Sequence, residues 1–271
     1  MKISEKELVL LREKVSKIIV EHIEAAVPED ETIVFTVSGG MDSTFLYLTY
    51  LEYGNRPCEA VAFYLEPPYV SETFEHENLM KIDHLIQHKL YLEDIISWEE
   101  IPDEYRSLPN PFLMPSTFKY LKENGYSYVI LGEAGDALFG EFIIPENKIS
   151  IFKSGLKTLL TYKKFDYPVF AAHSGVYKLL FSVNRKVATK YHLDFCDKVY
   201  KSKLRYPEIE MQIPFLDNKL FGAVSNYLKH GTGRKPMLKL ISMVMFKSYG
   251  LVFQEKKNNF NGLIKYCYEE K

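Results

Sequence analysis

The stretch that decides the fold is Thr32–Ser43, TIVFTVSGGMDS. Its first half, Thr32–Val37, is short, apolar and rich in β-branched residues, which is typical of a buried strand. The second half turns through two glycines, and from Ser43 to Tyr53 the apolar residues return at helical spacing. A strand that runs through a glycine turn straight into a helix predicts the first unit of an α/β fold.

Strands and helices alternate on both sides of this stretch. Each predicted strand is a short β-branched or apolar run, and each predicted helix shows apolar residues three and four positions apart. Such alternation predicts a doubly wound parallel sheet with right-handed crossovers, whose ligands bind at the carboxyl ends of the strands. The predicted helices are Glu7–Ala26, Glu72–Gln87 and Pro115–Lys122, and the further strands are Glu59–Leu65, Lys89–Leu92 and Ser127–Leu131.

Strand patterns fade after Gly140, and the remaining chain is predicted to be helices and loops. The apolar spacing is clearest at Val176–Leu180, Phe221–Leu228 and Met237–Phe246. We therefore predict an N-terminal helix over residues 1–30 and an α/β core over 31–145. A helical C-terminal region over 146–271 completes the active site, with the boundary near Pro145.

Composition excludes several classes of protein. Lys and Arg number 34 against 36 Asp and Glu, a net charge of −2, which argues against a protein that binds nucleic acid mainly through phosphates. No run approaches the roughly 20 apolar residues of a membrane span, and the N-terminus lacks a signal-peptide pattern. From the lack of such a run we expect no membrane partner. The three cysteines are far apart, which suits a reducing cytoplasm better than a disulfide framework, so we expect a cytoplasmic protein. They are Cys58, Cys196 and Cys267.

The loop Ser38–Ser43 has the chemistry of a phosphate site. Its glycines let the backbone approach a phosphate, and the helix start supplies unpaired N–H groups and a positive dipole end. The hydroxyls of Ser38 and Ser43 add donors, and Asp42 could hold Mg²⁺. The alternative is a plain strand-to-helix turn in which Asp42 and Ser43 cap the helix.

Two carboxylates follow the predicted strand Ser127–Leu131. Glu133 and Asp136 fall at the same edge of the sheet as Asp42. Two carboxylates from two loops can hold one Mg²⁺ against a polyphosphate, because that ion keeps its waters and takes few protein ligands. We predict Asp42 and Asp136 as the metal pair, and the alternative is a solvated acidic loop.

Three segments together resemble a known family. The loop SGGMDS resembles the pyrophosphate-binding loop of the ATP pyrophosphatases, the PP-loop superfamily, which cleave ATP to AMP and pyrophosphate while adenylating a substrate. Two further segments are similar, in order, to the SGEGxDExFGGY and VPFLD segments in the synthetase domain of asparagine synthetases. They are Leu131–Gly140, LGEAGDALFG, and Ile213–Asp217, IPFLD.

The resemblance implies a Rossmann-like PP-loop core, ATP and Mg²⁺ as cofactors, and a set of site residues. Lys235–Lys239 resembles the K-x-x-L-R helix start of the family, which assigns Lys235 to the phosphates. Glu255–Phe260 resembles R-x-K-x-x-F, which assigns Lys257 as the catalytic lysine. Glu133 resembles the Glu near the adenylate that assists deprotonation of the amine. The nucleotide-binding positions are Ser38, Gly39, Gly40, Asp42, Ser43, Tyr64, Gly132 and Lys235.

The chain departs from the family on the acceptor side. We expect it to lack the glutaminase domain, for which 271 residues leave no room, so the nitrogen would come from free ammonia, a partner subunit or an amine on the substrate. Gln212 stands where the family has an arginine before VPFLD, and Ala137 stands where the second motif has Glu. These departures predict a small-molecule acceptor other than aspartate.

We therefore predict an AMP-forming, ATP-dependent amide ligase that activates a carboxylate or amide for attack by ammonia or an amine. The first alternative is an adenylating sulfurtransferase, for which Cys58 or Cys196 would carry the sulfur and a separate protein would donate it. The second is a nucleotide-binding module without turnover. The oligomeric state stays open, a homodimer included.

Overall fold

A computed structural model describes residues 3–65, 74–82, 85–90, 113–139, 148–161, 163, 168–203, 208–228 and 236–252. The strands are β1 Ile33–Thr36, β2 Cys58–Leu65, β3 Ile86–Leu90, β4 Tyr128–Ile130 and β5 Glu210–Gln212. The first five helices are α1 Glu5–Ala26, α2 Met41–Tyr53, α3 Phe74–Leu79, α4 Leu113–Glu123 and α5 Gly135–Phe139. The last five are α6 Lys148–Thr161, α7 Pro168–Val183, α8 Arg185–Lys203, α9 Asn218–Val224 and α10 Pro236–Ser248.

The five strands form one parallel sheet in the order β3-β2-β1-β4-β5. From β1 the chain moves outward to β2 and β3, and it then returns to β4 on the other side of β1. With the right-handed crossovers that parallel strands take, the connecting helices of the two halves lie on opposite faces. The predicted doubly wound α/β fold is confirmed.

The order of the strands reverses between β1 and β4. These two strands are neighbours, with Phe35 opposite Ile130. In an open parallel sheet, ligands bind in the crevice outside the carboxyl ends of the strands at this reversal. The fold therefore places the loops after Thr36 and after Ile130 side by side at the position where a ligand is expected.

Apolar packing explains why α2 follows β1 so closely. Phe35, on β1, is fully buried and packs against the rings of Tyr47 and Tyr50 from α2, with centroids 5.6 and 5.5 Å apart. The eight residues from Ser43 to Tyr50 are all buried, so this part of the helix is enclosed on every side. Several of the many aromatic residues of the chain are thus core residues.

Two expectations about secondary structure were wrong. The helix predicted over Glu72–Gln87 is observed only as Phe74–Leu79, and Ile86 and Gln87 belong to β3. The region after residue 146 was expected to be helical, but Glu210–Gln212 forms the edge strand β5 in parallel with Tyr128–Ile130. The edge strand has only three residues and one solvated side, so it lacks the apolar run that marks a buried strand.

The chain divides into two compact units. The sheet unit comprises residues 16–133, 203–214 and 242–271 and contains the whole sheet. The helical unit comprises residues 1–15, 134–202 and 215–241. The predicted boundary near Pro145 lies outside the described residues and stays a prediction. No helix in the described part of the chain is long and apolar enough to cross a membrane.

Candidate active site

The loop between β1 and α2 is held by its own two serines. The backbone N–H of Ser38 donates to the Ser43 hydroxyl at 3.0 Å, the two hydroxyls lie 3.1 Å apart, and Gly40 N–H donates to the Ser38 hydroxyl. Gly40 is the N-cap of α2, and no side chain caps it within the described residues. Ser43 does not cap the helix as the alternative expected, because its hydroxyl is turned back towards Ser38.

Gly39 permits a close approach between this loop and α3. Its φ of 72° lies in the left-handed region, and a Cβ at this position would overlap the carbonyl oxygen of Glu75. Only glycine meets both conditions without strain. The loop after β1 is thus fixed from one side by the backbone of α3.

Asn78 ties three segments of the sheet unit together. Its buried amide donates to the carbonyl oxygens of Gly39 at 3.2 Å and of Val252 at 2.7 Å, and its oxygen accepts from Val252 N–H at 3.0 Å. Lys81 adds a bond from its ammonium group to Gly250 O at 3.0 Å. The segment that leaves α10 is thereby fixed beside the loop after β1. Nothing in the sequence marked Asn78, because its partners lie 39 and 174 residues away.

The loop after β4 lies directly against the loop after β1. A Cβ placed on Gly132 would be 2.6 Å from both the backbone N and the Cα of Ser43, and 2.9 Å from its Cβ. Heavy atoms cannot approach so closely, so the contact exists only because residue 132 has no side chain. Two segments predicted as nucleotide-binding are therefore in backbone contact at the reversal of the sheet.

The next two residues of this loop differ in exposure and strain. Glu133 is exposed at the end of the sheet unit. Ala134 has a φ of 64°, a left-handed conformation that is unfavourable for a residue with a side chain. Its carbonyl accepts from Leu138 N–H at 3.0 Å, which begins α5. Strain at a sheet edge is typical of functional loops, where surrounding contacts maintain it.

Asp136 lies in the first turn of α5 in the helical unit. In the same unit, burial lowers the pKa of His192, and the negative charge of Asp136 opposes that shift. His192 Nδ1 is 2.7 Å from His173 Nε2, so one ring donates to the other. Burial and the neighbouring His192 lower the pKa of His173 to about 4, and its ring stacks on Phe195 at 3.7 Å. Sequence reasoning missed this pair, because its members are on separate helices.

The third motif packs on the second within the helical unit. The ring of Phe215, in a short 3₁₀ turn over Pro214–Leu216, meets the ring of Phe139 edge to face at 5.3 Å, and both are fully buried. Asp217 caps α9 by accepting from Lys219 N–H at 2.6 Å. The IPFLD segment therefore acts through packing and capping in the described structure.

Three of the predicted site residues have no described side chain. Tyr64 is placed by its backbone alone, in β2 opposite Lys89 of β3. Lys235 and Lys257 lie outside the described residues, so their roles stay predictions. Within the described residues, no group of three or more His, Cys, Asp or Glu side chains is arranged to hold a metal ion.

The chain was compared with known proteins by family, sequence and structure. No protein family matches its sequence, and no curated protein matches it. Among solved structures it is similar to the U34-tRNA thiolase NcsA from Methanococcus maripaludis, described with its 4Fe-4S cluster. The two share 10% sequence identity, the TM-score is 0.39, and the alignment covers 96% of this chain and 78% of the thiolase. The substrate and the cluster of the thiolase are properties of that protein.

Cys58 lies at the amino end of its strand, opposite the end of the sheet where these loops lie. It is the first residue of β2, whereas the candidate site is at the carboxyl ends of the strands. A strand of eight residues spans roughly 25 Å. Burial, with a smaller effect of Glu59, raises the pKa of its thiol to about 11, so the nucleophilic thiolate is scarce at neutral pH.

Proposed function

We propose that this protein activates a small-molecule substrate by adenylation, cleaving ATP to AMP and pyrophosphate. The observation that carries the proposal is the backbone contact between Gly132 and Ser43 at the reversal of the sheet. It joins the loop that resembles the pyrophosphate loop of the ATP pyrophosphatases to the loop that resembles the SGEGxDExFGGY segment of the asparagine synthetases. The fold supports the proposal, because this crevice is where doubly wound sheets bind ligands.

The loop over Ser38–Ser43 would bind the phosphates through its backbone. Gly40 caps α2 and has no side chain of its own, so the first N–H groups of a 13-residue helix can serve an anion. The mutual bond of Ser38 and Ser43 fixes the loop before any ligand arrives. Such preorganised donors stabilise the charge that develops on a leaving pyrophosphate, with little reorganisation.

By their chemistry, two carboxylates suit a magnesium ion shared with phosphates and are too few for an all-protein metal cage. Mg²⁺ usually takes one or two carboxylates and completes its shell with water and phosphate oxygens. Asp42, in the first turn of α2, and Asp136, in the first turn of α5, are the proposed ligands. Bound Mg²⁺ would supply charge neutralisation of the polyphosphate.

Glu133, Lys235 and Lys257 complete the proposed machinery. Glu133 is exposed after β4, where it could accept a proton from an incoming nucleophile. Lys235 immediately precedes α10 and is proposed to bind phosphate. Lys257 follows Val252 by five residues, and Val252 is tethered through Asn78 to Gly39. That tether supports Lys257 as the lysine that stabilises charge at the α-phosphate.

Two classes of nucleophile remain for the second half-reaction. Nitrogen attack would make the enzyme an AMP-forming amide ligase, and sulfur attack would make it a sulfurtransferase. The position and the raised pKa of Cys58 argue against that residue as a sulfur carrier. A sulfur route would therefore depend on Cys196, on Cys267 or on sulfur delivered by another protein.

Incubation with ATP, Mg²⁺ and sets of carboxylate and amide acceptors tests the proposal through release of pyrophosphate. We expect release that depends on an acceptor, and Asp42→Asn should reduce it by on the order of 10²-fold or more. A chain with Ser at positions 58, 196 and 267 then separates the nucleophiles. If the enzyme is an amide ligase, the triple-serine chain should still form the amide with ammonia. If the natural chain forms product only with a sulfur donor and the triple-serine chain forms none, the sulfurtransferase is favoured. ATP binding without turnover on any acceptor would favour a non-catalytic module.

A further inference from the structure

Helix α6, in the helical unit, has a row of apolar side chains that face solvent. Ile149 is 62% exposed, Phe152 47%, Leu156 44% and Leu160 77%. At 100° per residue these four positions fall within an arc of about 80°, and the row is roughly 16 Å long. We call this row the α6 stripe. Contiguous exposed apolar side chains mark interaction surfaces, whereas single scattered ones are common on any protein.

The α6 stripe is separate from the face that packs in the protein. The buried side of α6 includes Gly155, which meets the backbone carbonyl of Gly175 on α7. Leu159 also contacts Gly175, and Lys178 donates to the Ser154 hydroxyl at 3.3 Å. These contacts place α7 antiparallel to α6 on a different arc from the stripe. The stripe is therefore not needed to hold the helix pair together.

Basic side chains border the stripe. Lys153 and Lys157 are exposed, and each directly follows a stripe residue along the helix. Helix α6 contains no acidic residue. Between residues 147 and 183 the chain has six Lys residues and one carboxylate, Asp166, although the whole chain has a net charge of −2. This asymmetry selects an anionic partner for the region.

We propose that α6 docks on the surface of an anionic lipid membrane. A helix that lies in the membrane interface buries an apolar arc among the acyl chains and keeps lysines at the head groups, and the α6 stripe with Lys153 and Lys157 has this arrangement. Lysine stems can extend along the apolar surface while their ammonium groups stay in water. The docking is a surface association and adds to the proposed ATP chemistry without depending on it. It also departs from the sequence expectation of no membrane partner.

Two other occupants fit the stripe less well. Proteins that bind single-stranded nucleic acid stack bases on aromatic rings, whereas three of the four stripe residues are aliphatic. A second copy of this chain would bring the same basic helix face against itself, and like charges at an interface are unfavourable. An anionic lipid surface, unlike these two partners, can contact both the aliphatic side chains and the lysines favourably.

Sedimentation of the full-length chain with lipid vesicles tests the proposal. We expect binding to phosphatidylcholine vesicles that contain phosphatidylglycerol, at least about tenfold weaker binding to phosphatidylcholine alone, and weakening with added salt. Each lysine near an anionic surface is worth roughly fivefold in partition. The double change Lys153→Glu and Lys157→Glu should therefore reduce binding by at least about 25-fold. The matched control is Lys6→Glu with Lys14→Glu, both exposed on α1.

A second variant tests the apolar half of the surface. Leu156→Glu with Leu160→Glu should abolish vesicle binding, whereas Val244→Glu, at a residue of α10 that is 67% exposed, should not. Unchanged circular dichroism and an unchanged thermal melt would show that the variants fold. No vesicle binding by the natural chain, or equal binding to both kinds of vesicle, would overturn the proposal. The proposal would also be overturned if the α6 variants abolished dimer formation, or abolished binding to polyuridylate, while their vesicle binding persisted.

Discussion

Gly132 lies against the backbone of Ser43, so the loops that follow β4 and β1 meet without a side chain between them. A Cβ added at residue 132 would lie 2.6 Å from the backbone N and from the Cα of Ser43. Neither partner can yield cheaply, because the Ser43 hydroxyl also accepts from Ser38 N–H. The spacing of the two loops therefore depends on the absence of one methyl group.

Gly132→Ala should separate the two loops and impair ATP turnover. A displacement of about 1 Å in a catalytic loop can cost on the order of 10²-fold in rate, so we expect a loss of that size in pyrophosphate release. Gly222→Ala is the matched control, because a Cβ there meets no atom within 4 Å. Turnover by Gly132→Ala equal to that of the control would contradict the role given to this contact.

Ala134→Gly should stabilise the protein. Ala134 has a φ of 64°, which costs a residue with a side chain roughly 1–2 kcal/mol, and glycine avoids that cost. After the extra entropy of the unfolded glycine chain is subtracted, we expect a gain of about 1 kcal/mol in the free energy of unfolding, measured with urea. Ala25→Gly in α1 should instead lose up to about 1 kcal/mol. The similar asparagine synthetase segment has glycine at the position of Ala134.

Local sequence pattern predicted much of the fold, because the decisive signals are short in range. The β-branched run before Ser38 and the apolar spacing after it gave β1 and α2 within two residues of their observed ends. An Asn-Gly pair is a common helix end, and Asn124-Gly125 ends α4 in this way: Gly125 has a φ of 81°, and Tyr126 N–H bonds to Leu121 O. Each of these features depends on neighbours in sequence, so the sequence is sufficient to predict it.

The unpredicted features depend on distant partners. Asn78 bonds to Val252, which is 174 residues away, and nothing in FEHENL shows that its asparagine is buried. The edge strand Glu210–Gln212 exists because β4 offers it a ladder, since its own residues have no strand pattern. The resemblance identified Gly132 by its motif, but only the fold shows that Ser43 is its neighbour. Tertiary contact decided each case.

Asn78→Leu should release the segment that follows α10. The change leaves the carbonyls of Gly39 and Val252 and the Val252 N–H without their bonds, and we expect a loss of about 2–3 kcal/mol in stability. Hydrogen exchange at Val252 should accelerate more than exchange elsewhere in the sheet unit. Asn124→Ala, which removes one exposed bond to Tyr120 O, should cost less than about 0.5 kcal/mol. Slow exchange at Val252 in the Asn78 variant would be inconsistent with a tether.

The buried pair His173 and His192 should make the protein less stable in acid. The pKa of His173 is about 4 in the folded protein and about 6.5 when unfolded, so between these values the unfolded chain binds more protons. The free energy of unfolding therefore rises with pH in this window and falls as the solution is acidified from pH 6.5 to 4. The loss is of the order of 3 kcal/mol.

Thermal melts across this pH range check the prediction with two variants. His173→Phe keeps a ring stacked on Phe195 and removes the titrating group, so its melting temperature should depend less steeply on pH. Tyr177→Phe alters a ring beside the same pair without a group that titrates in this range, and its profile should match the natural chain. Identical slopes for all three proteins would show that His173 does not control acid stability.

ATP labelled on the α-phosphate shows directly which bond of ATP breaks. Protein, Mg²⁺ and an acceptor that supports turnover are incubated with the labelled nucleotide, and the products are separated. We predict that the label leaves ATP as AMP or as an adenylated acceptor, with unlabelled pyrophosphate in equal amount, and that Asp42→Asn reduces both by on the order of 10²-fold or more. Label recovered in ADP, with phosphate released instead of pyrophosphate, would contradict the account.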